Sequence, residues 1–306
     1  MFAENQFYGH AAALQQHAGV SSSAAIPGRL QHGWHVDAGF WPEQLKRRFR
    51  FFVWSAHNAW WARRLGGRRV DAVGSPFLYM TQHLAPKPAT GRRLLFVPFH
   101  SAHKASLDAG ATPVSEQIRF LRDQGFDDIT ICAYWYDWEN PDTRASYERE
   151  GVSVVTNGKR DDDGAFLWRL VANVQAHDIV ATDRLSTATF YALALGRPVF
   201  QFGRVPGIKE GPDPDGSVCA AMQRERFPEL MWDRFDGTCH RDTGLRELGA
   251  DQMRTPEELR ELFHWEVGSR WRGAAEWCAI RAEKLVVGRY YEVRERLTGT
   301  PIPGWL

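Results

Sequence analysis

From Arg93 to Gly203 the chain alternates short apolar, β-branched runs with segments whose apolar residues recur at helical spacing, and few architectures accept that rhythm. RLLFVPF (Arg93 to Phe99) reads as a buried strand. TPVSEQIRFLRDQG follows, a helix with Val114, Ile118, Phe120 and Leu121 on one side and a glycine stop at Gly125. DITICAY, a helix opened by Asn140-Pro141, VSVVT, the helix GAFLWRLVANVQAH, DIVAT, the helix LSTATFYALALG and RPVFQFG complete the series. Five strands separated by four helices predict a parallel, doubly wound α/β sheet, whose ligands bind beyond the carboxyl ends of its strands.

The first 85 residues are less regular. IPGRLQHGW, RFRFFVWS and VDAVGSPFLYM each read as a strand running into a loop, with a helix over 56–65, which predicts a smaller Rossmann-like unit. HLAPKPATGRR, rich in Pro and Gly, marks the linker. The expected organisation is an amino-terminal domain over 1–85 and a carboxyl-terminal domain over 86–306. The latter closes with a long helix over 269–297.

Composition removes several function classes. With 38 basic and 37 acidic side chains the formal charge is +1, too little for a global field that gathers nucleic acid. The amino terminus lacks a basic n-region followed by an apolar run, and no stretch approaches the roughly 18 apolar residues of a spanning helix, so a cytoplasmic location is expected. Cys132, Cys219, Cys239 and Cys278 form no CxxC pair, which fits reduced structural thiols.

DIVATDRLSTATFYALALGRPVFQFG carries the most chemistry. A strand ends at Thr182-Asp183 and a helix starts near Ser186-Thr187, so first-turn N–H groups, two hydroxyls and the Arg184 guanidinium converge as a phosphate site; Ser186 or Thr187 serves equally well as an N-cap. His100, Ser101 and His103 follow the first strand of the same sheet, and with Asp183 they complete the donor-side candidates. Asp161-Asp162-Asp163 and Asp213-Pro214-Asp215 have the form of metal-binding acidic motifs, but their glycine-flanked turn contexts suit solvated loop carboxylates, and no metal is expected. Glu4, Tyr8 and His10 lie in a segment that reads either as a solvated helix face or, if it covers the cleft, as an acceptor contact, and Tyr134, Trp135, Tyr136 and Trp138 suit stacking on a base or sugar and a core or domain-interface role equally.

Thr182, Asp183, Ser186, Ala192, Leu193, Arg197, Pro198 and Val199 resemble the "TDxS…ALxxxKPV" stretch of the CDP-glycerol glycerophosphotransferase family and related GT-B surface-polymer transferases. Gln31-His32-Gly33-Trp34 is similar to the "HG" motif of those enzymes. The resemblance implies a GT-B fold of two Rossmann-like domains, the donor nucleotide on the carboxyl-terminal one, and a last helix crossing back to the first. It also implies His32 as the base. The lysine that often follows "HG" is replaced by His35 and Asp37, so a sugar nucleotide is the expected donor, Asp37 is a second acid–base candidate and His35 an acceptor contact. The expected activity is metal-independent, inverting transfer of a sugar to a glycan, lipid-linked or small hydroxyl acceptor, without cofactor. A nucleotide-sugar epimerase of the same fold and a non-catalytic nucleotide-binding protein are the alternatives.

Lys46 to Arg69 holds eight Lys or Arg and no acid. Two readings stay open: charges answered by acids elsewhere, or a face for peripheral contact with an anionic membrane or acidic glycan.

Overall fold

A computed structural model describes residues 2–36, 40, 45, 49–86, 90–100, 111–161, 164–209 and 213–266, with 278 and 282 as isolated helical positions. The helix expected over 269–297 lies outside them. Among the described residues, eight strands and eleven α-helices of more than one position follow in order: α1 (His10–His17), β1 (Arg29–Leu30), β2 (Phe51–Val53), α2 (Ala56–Arg64), β3 (Val70–Ala72), α3 (Pro76–Thr81), β4 (Leu94–Phe96), α4 (Val114–Asp123), β5 (Ile129–Ala133), α5 (Trp135–Glu139), α6 (Pro141–Glu148), β6 (Ser153–Thr156), α7 (Phe166–Gln175), β7 (Ile179–Thr182), α8 (Thr187–Ala194), β8 (Val199–Gln201), α9 (Ser217–Arg226), α10 (Arg241–Glu247) and α11 (Pro256–Leu262). They form two parallel sheets, one of order β1-β2-β3 and one of order β6-β5-β4-β7-β8.

The larger sheet is the doubly wound sheet expected from the sequence. Leu94 pairs with Ile129 on one side and Ile179 on the other, so the strand order reverses at β4. The interior strands β4 and β5 are wholly buried and largely apolar, as interior parallel strands must be; of the two edge strands β8 is also buried, whereas β6 is partly exposed. Asn140 opens α6 as expected, its Oδ1 accepting from the amides of Asp142 (3.0 Å) and Thr143 (3.2 Å).

On the smaller sheet the period of two sorts the layers. Phe51 and Val53 share a cluster with Ala59 and Ala62 of α2. Phe52 faces the other way, with Leu14, Leu259 and Phe263. Residues 256–265 thus pack beside α1 on the first sheet: Arg50 Nη1 donates to Leu262 O at 3.0 Å and Trp265 Nε1 to Ala25 O at 2.7 Å. Sequence reading found no element there, because three short helices without long apolar periodicity, α9 to α11, carry the chain back.

A third cluster joins both sheets through Trp34, Trp54 and Phe77 on one side and Phe190, Tyr191 and Leu193 on the other. Phe77 and Tyr191 stack at 3.9 Å. The turn after α10 tightens this junction at Gly249, whose φ of 71° lies in the left-handed region and where a Cβ would stand 1.9 Å from Trp54 O. Gly249→Ala is therefore expected to lower unfolding free energy by about 1–3 kcal/mol, read from urea denaturation.

Candidate functional site

The larger sheet's strand order puts its ligand crevice beyond the carboxyl ends of β4 and β7. Asp183 ties these ends together: its Oδ1 accepts from the Phe99 amide at 2.7 Å and its Oδ2 from Gln117 Nε2 at 3.0 Å. Burial lifts its pKa to about 6 against those hydrogen bonds. Its carboxylate is thus engaged by protein donors. Arg184 lies beside it, with the guanidinium 4.3 Å over Phe99 and Nη1 donating to Pro206 O at 2.8 Å. Ser186 is the N-cap of α8, and its amide donates to Thr189 Oγ1 at 3.0 Å.

Thr187 receives a partner from the other sheet. The loop after β1, Gln31 to Trp34, lands on the start of α8, where the Trp34 amide donates to Thr187 Oγ1 at 2.9 Å. A Cβ on Gly33 would lie 2.9 Å from that oxygen, so glycine permits the approach. Gln31 shapes the loop, donating to Gly33 O (3.0 Å) and accepting from the Trp54 amide (2.9 Å). Trp34 Nε1 and Arg226 Nη2 both donate to Glu247 Oε2, at 2.9 and 3.0 Å. The carboxyl edges of the two sheets therefore meet at this point, and the two sequence motifs are in hydrogen-bond contact.

His32 is in the middle of that loop. The rings of Phe7 and Tyr8 lie 5.2 and 5.3 Å from its imidazole, and Nδ1 is shielded from solvent. Burial pushes its pKa down to about 3, and nearby His10, Arg160 and His35 add to the effect. The ring is neutral at physiological pH and in its proton-accepting form.

The amino-terminal segment crosses the junction. Asn5, fully buried, donates to Gly28 O at 2.8 Å and accepts from the Leu30 amide at 2.9 Å, acting like one more peptide on the edge of β1. The Tyr8 amide donates to Arg160 O at 2.8 Å on the loop beyond β6. Tyr8 and His10 thus come to His32, whereas Glu4 pairs with Arg29. His35 is exposed. His100 stacks on Tyr134 at 3.7 Å, beyond the ends of β4 and β5. Asp37, Ser101 and His103 lie outside the described residues.

Of the acidic clusters, Asp213 accepts from the amides of Val218 (3.2 Å) and Cys219 (2.8 Å), and Asp215 from that of Ser217 (3.0 Å), at the start of α9. Asp161 pairs with Arg160; Asp162 and Asp163 lie outside the described residues. Among the described residues, no group of three or more His, Cys, Asp or Glu is placed to hold a metal. Arg197, within the motif resemblance, is buried and donates to Val174 O (3.3 Å) and Gln175 O (3.1 Å), satisfying carbonyls at the end of α7.

Sequence reading missed Arg160. It stands before three aspartates, and attention to a possible metal motif passed over the cation.

The chain matches no protein-family model and no curated protein. Among solved structures, one of S. aureus MnaA with UDP is similar over 71% of this chain and 62% of that chain, at 10% identity and a TM-score of 0.38. This chain's match therefore spans less than two thirds of that protein, and so distant a likeness carries no argument for the chemistry here.

His10 gives a pH test of the junction. Burial holds its folded pKa at about 3, against about 6.5 when unfolded. The unfolded chain then binds the extra proton, so this stability is complete above pH 6.5 and is lost as pH falls toward 3. At pH 5 the loss is about 2 kcal/mol. Asp183, with its raised pKa, acts with the opposite sign. The difference between wild type and His10→Gln isolates the histidine: urea titrations at pH 7 and pH 5 are expected to show a smaller fall in the variant.

Proposed function

We propose that this chain is a glycosyltransferase that moves a sugar from a nucleotide-sugar donor to a hydroxyl acceptor without a metal, in the making of a surface polysaccharide, glycolipid or small glycoside. The observation carrying this reading is the hydrogen bond from Trp34 to Thr187, which sets the His32 loop against the first turn of α8. A proton acceptor and a phosphate-binding helix start then share one junction. The motif resemblance supports the same assignment, with two Rossmann-like domains over 1–85 and 86–306.

In this mechanism the α8 amide groups and Arg184 hold the donor diphosphate. His32 takes the acceptor proton as the acceptor oxygen bonds to the anomeric carbon on the face opposite the departing nucleotide, which gives inversion. The negative donor raises the proton affinity of His32 when bound, since an opposite charge favours the imidazolium. Positive charge and N–H donors stabilise the leaving diphosphate in the role a metal would otherwise fill.

Binding and chemistry are expected to separate on mutation. Titration calorimetry with a panel of nucleoside diphosphates should show affinity falling roughly tenfold or more in Arg184→Ala and unchanged in His32→Ala. Transfer should fall by roughly 10²–10⁴-fold in His32→Ala. Epimerised nucleotide sugar formed without acceptor would assign the chain to the epimerase alternative, and unchanged affinity in both Arg184→Ala and Ser186→Ala would remove the donor site.

The reading extends to a peripheral contact with anionic membrane. Among the described residues no helix is long and apolar enough to cross one. Residues 46–69 carry eight basic side chains against a whole-chain charge of +1, so the remainder carries 1 − 8 = −7. Arg50 is answered by Asp71 at 3.0 Å. Among the described residues Arg64 and Arg68 have no carboxylate partner; Arg64 lies 5.3 Å over Trp60. Trp60 and Leu65 are 52% and 49% exposed, which adds the apolar component that a headgroup region accepts. Lys46, Arg47 and Arg48 lie outside the described residues. Co-sedimentation is expected with anionic but not neutral vesicles at low salt, and to be lost at high salt or in the double change Arg63→Glu and Arg64→Glu.

A further inference from the structure

The junction has a second cationic group, separate from Arg184. Arg160 is on the loop beyond β6, its side chain 31% exposed, with the guanidinium 4.5 Å over Phe7. Nε donates to Asp161 at 2.8 Å. Among the described residues no acceptor is bonded to its two terminal nitrogens. A guanidinium has five N–H donors in a planar fork, so the terminal pair is open to an anionic group. Apart from Asp161, the groups that face it are neutral: His32 is unprotonated, and the hydroxyls of Tyr8 and Tyr134 interact with the same guanidinium.

The tyrosines are held firmly. Tyr8 has φ 61°, a conformation that disfavours an aromatic residue, maintained by its amide bond to Arg160 O and by ring contacts with Phe166 (4.7 Å) and His32 (5.3 Å). The Tyr8 and Tyr134 hydroxyls interact electrostatically with one another and with the Arg160 guanidinium. Stacking on His100 at 3.7 Å fixes the Tyr134 ring. One cation and one hydroxyl donor are thus set side by side on the candidate site.

The two arginines follow different strands. β6 is three strands from β7, about 14 Å at the usual inter-strand spacing. We propose that Arg160 and Tyr134 form a subsite for an anionic oxygen group, a carboxylate or a phosphate monoester, carried by the sugar or the acceptor. This rests on the glycosyltransferase reading for the neighbouring donor site. The bidentate geometry of guanidinium with either group supplies the selectivity, and the tyrosine hydroxyl fixes the orientation.

The test compares glucuronate, glucose 6-phosphate and glucose by calorimetry and saturation-transfer NMR. Wild type is expected to bind at least one of the anionic sugars ten or more times tighter than glucose, and whichever binds names the group. The preference should vanish in Arg160→Gln, weaken in Tyr134→Phe and persist in Arg184→Ala, with circular dichroism and melting showing each variant folded. Should Arg160→Gln fail to fold, Arg160→Lys and Tyr134→Phe carry the same comparison, each expected to shrink the preference. Equal or absent binding of the three sugars by wild type, or a preference untouched by the substitutions that fold, overturns the proposal. Nucleoside diphosphate titrations on the same variants separate the two readings: a wild type that binds none of them fails the donor site alone.

Discussion

Helix α8 has no solvent face from Thr189 to Ala194. A short helix buried all round must be enclosed by other elements, and here the enclosure comes from both sheets. Phe190 packs on Trp34 at 4.1 Å and Tyr191 on Phe77 at 3.9 Å, while Gly244 of α10 comes so close that a Cβ there would lie 2.7 Å from that of Leu193. Each fully buried side chain of this size contributes about 1.5–3 kcal/mol, so the junction is held together by the helix that also begins the candidate phosphate site. Stability and the candidate site are tied to the same eight residues.

That coupling explains the polar arrangement at the carboxyl edges. Once α8 is fixed, its first turn offers amides and hydroxyls at one place, and the glycine at position 33 lets the Gln31 to Trp34 loop approach them closely. Asp183 and Gln31 are then engaged with backbone and side-chain donors that set the loops, and the groups facing the junction are neutral histidines, tyrosines and two arginines.

The larger sheet was legible because interior parallel strands need unbroken apolar runs, and LLF, ITICA and IVAT supply them between amphipathic helices. The smaller sheet was legible only as three strands; α3 went unseen behind Gly74-Ser75-Pro76, which reads as a turn, and α5 because Trp135 to Glu139 has no apolar period of its own. Within the site, His32, Arg184 and Thr187 stood at strand ends where pattern reasoning looks first. The contacts that bring them together did not: Trp34 to Thr187 joins residues 153 positions apart, and Tyr8 reaches Arg160 through a backbone amide, which leaves no mark in side-chain chemistry.

The return of α11 to the first sheet has a consequence for the order in which the molecule completes itself. Arg50 bonds to a carbonyl 212 positions later, and Phe52 and Leu30 are covered by Leu259, Phe263 and Trp265. The strands of the smaller sheet, synthesised before those of the larger, therefore wait for residues 256–265 before their second face is closed, while the larger sheet has all five strands in hand by Gln201. Vectorial synthesis, which usually lets the leading part of a chain fold first, here favours the middle: the central sheet is the early scaffold, and the amino-terminal one is finished last, around it.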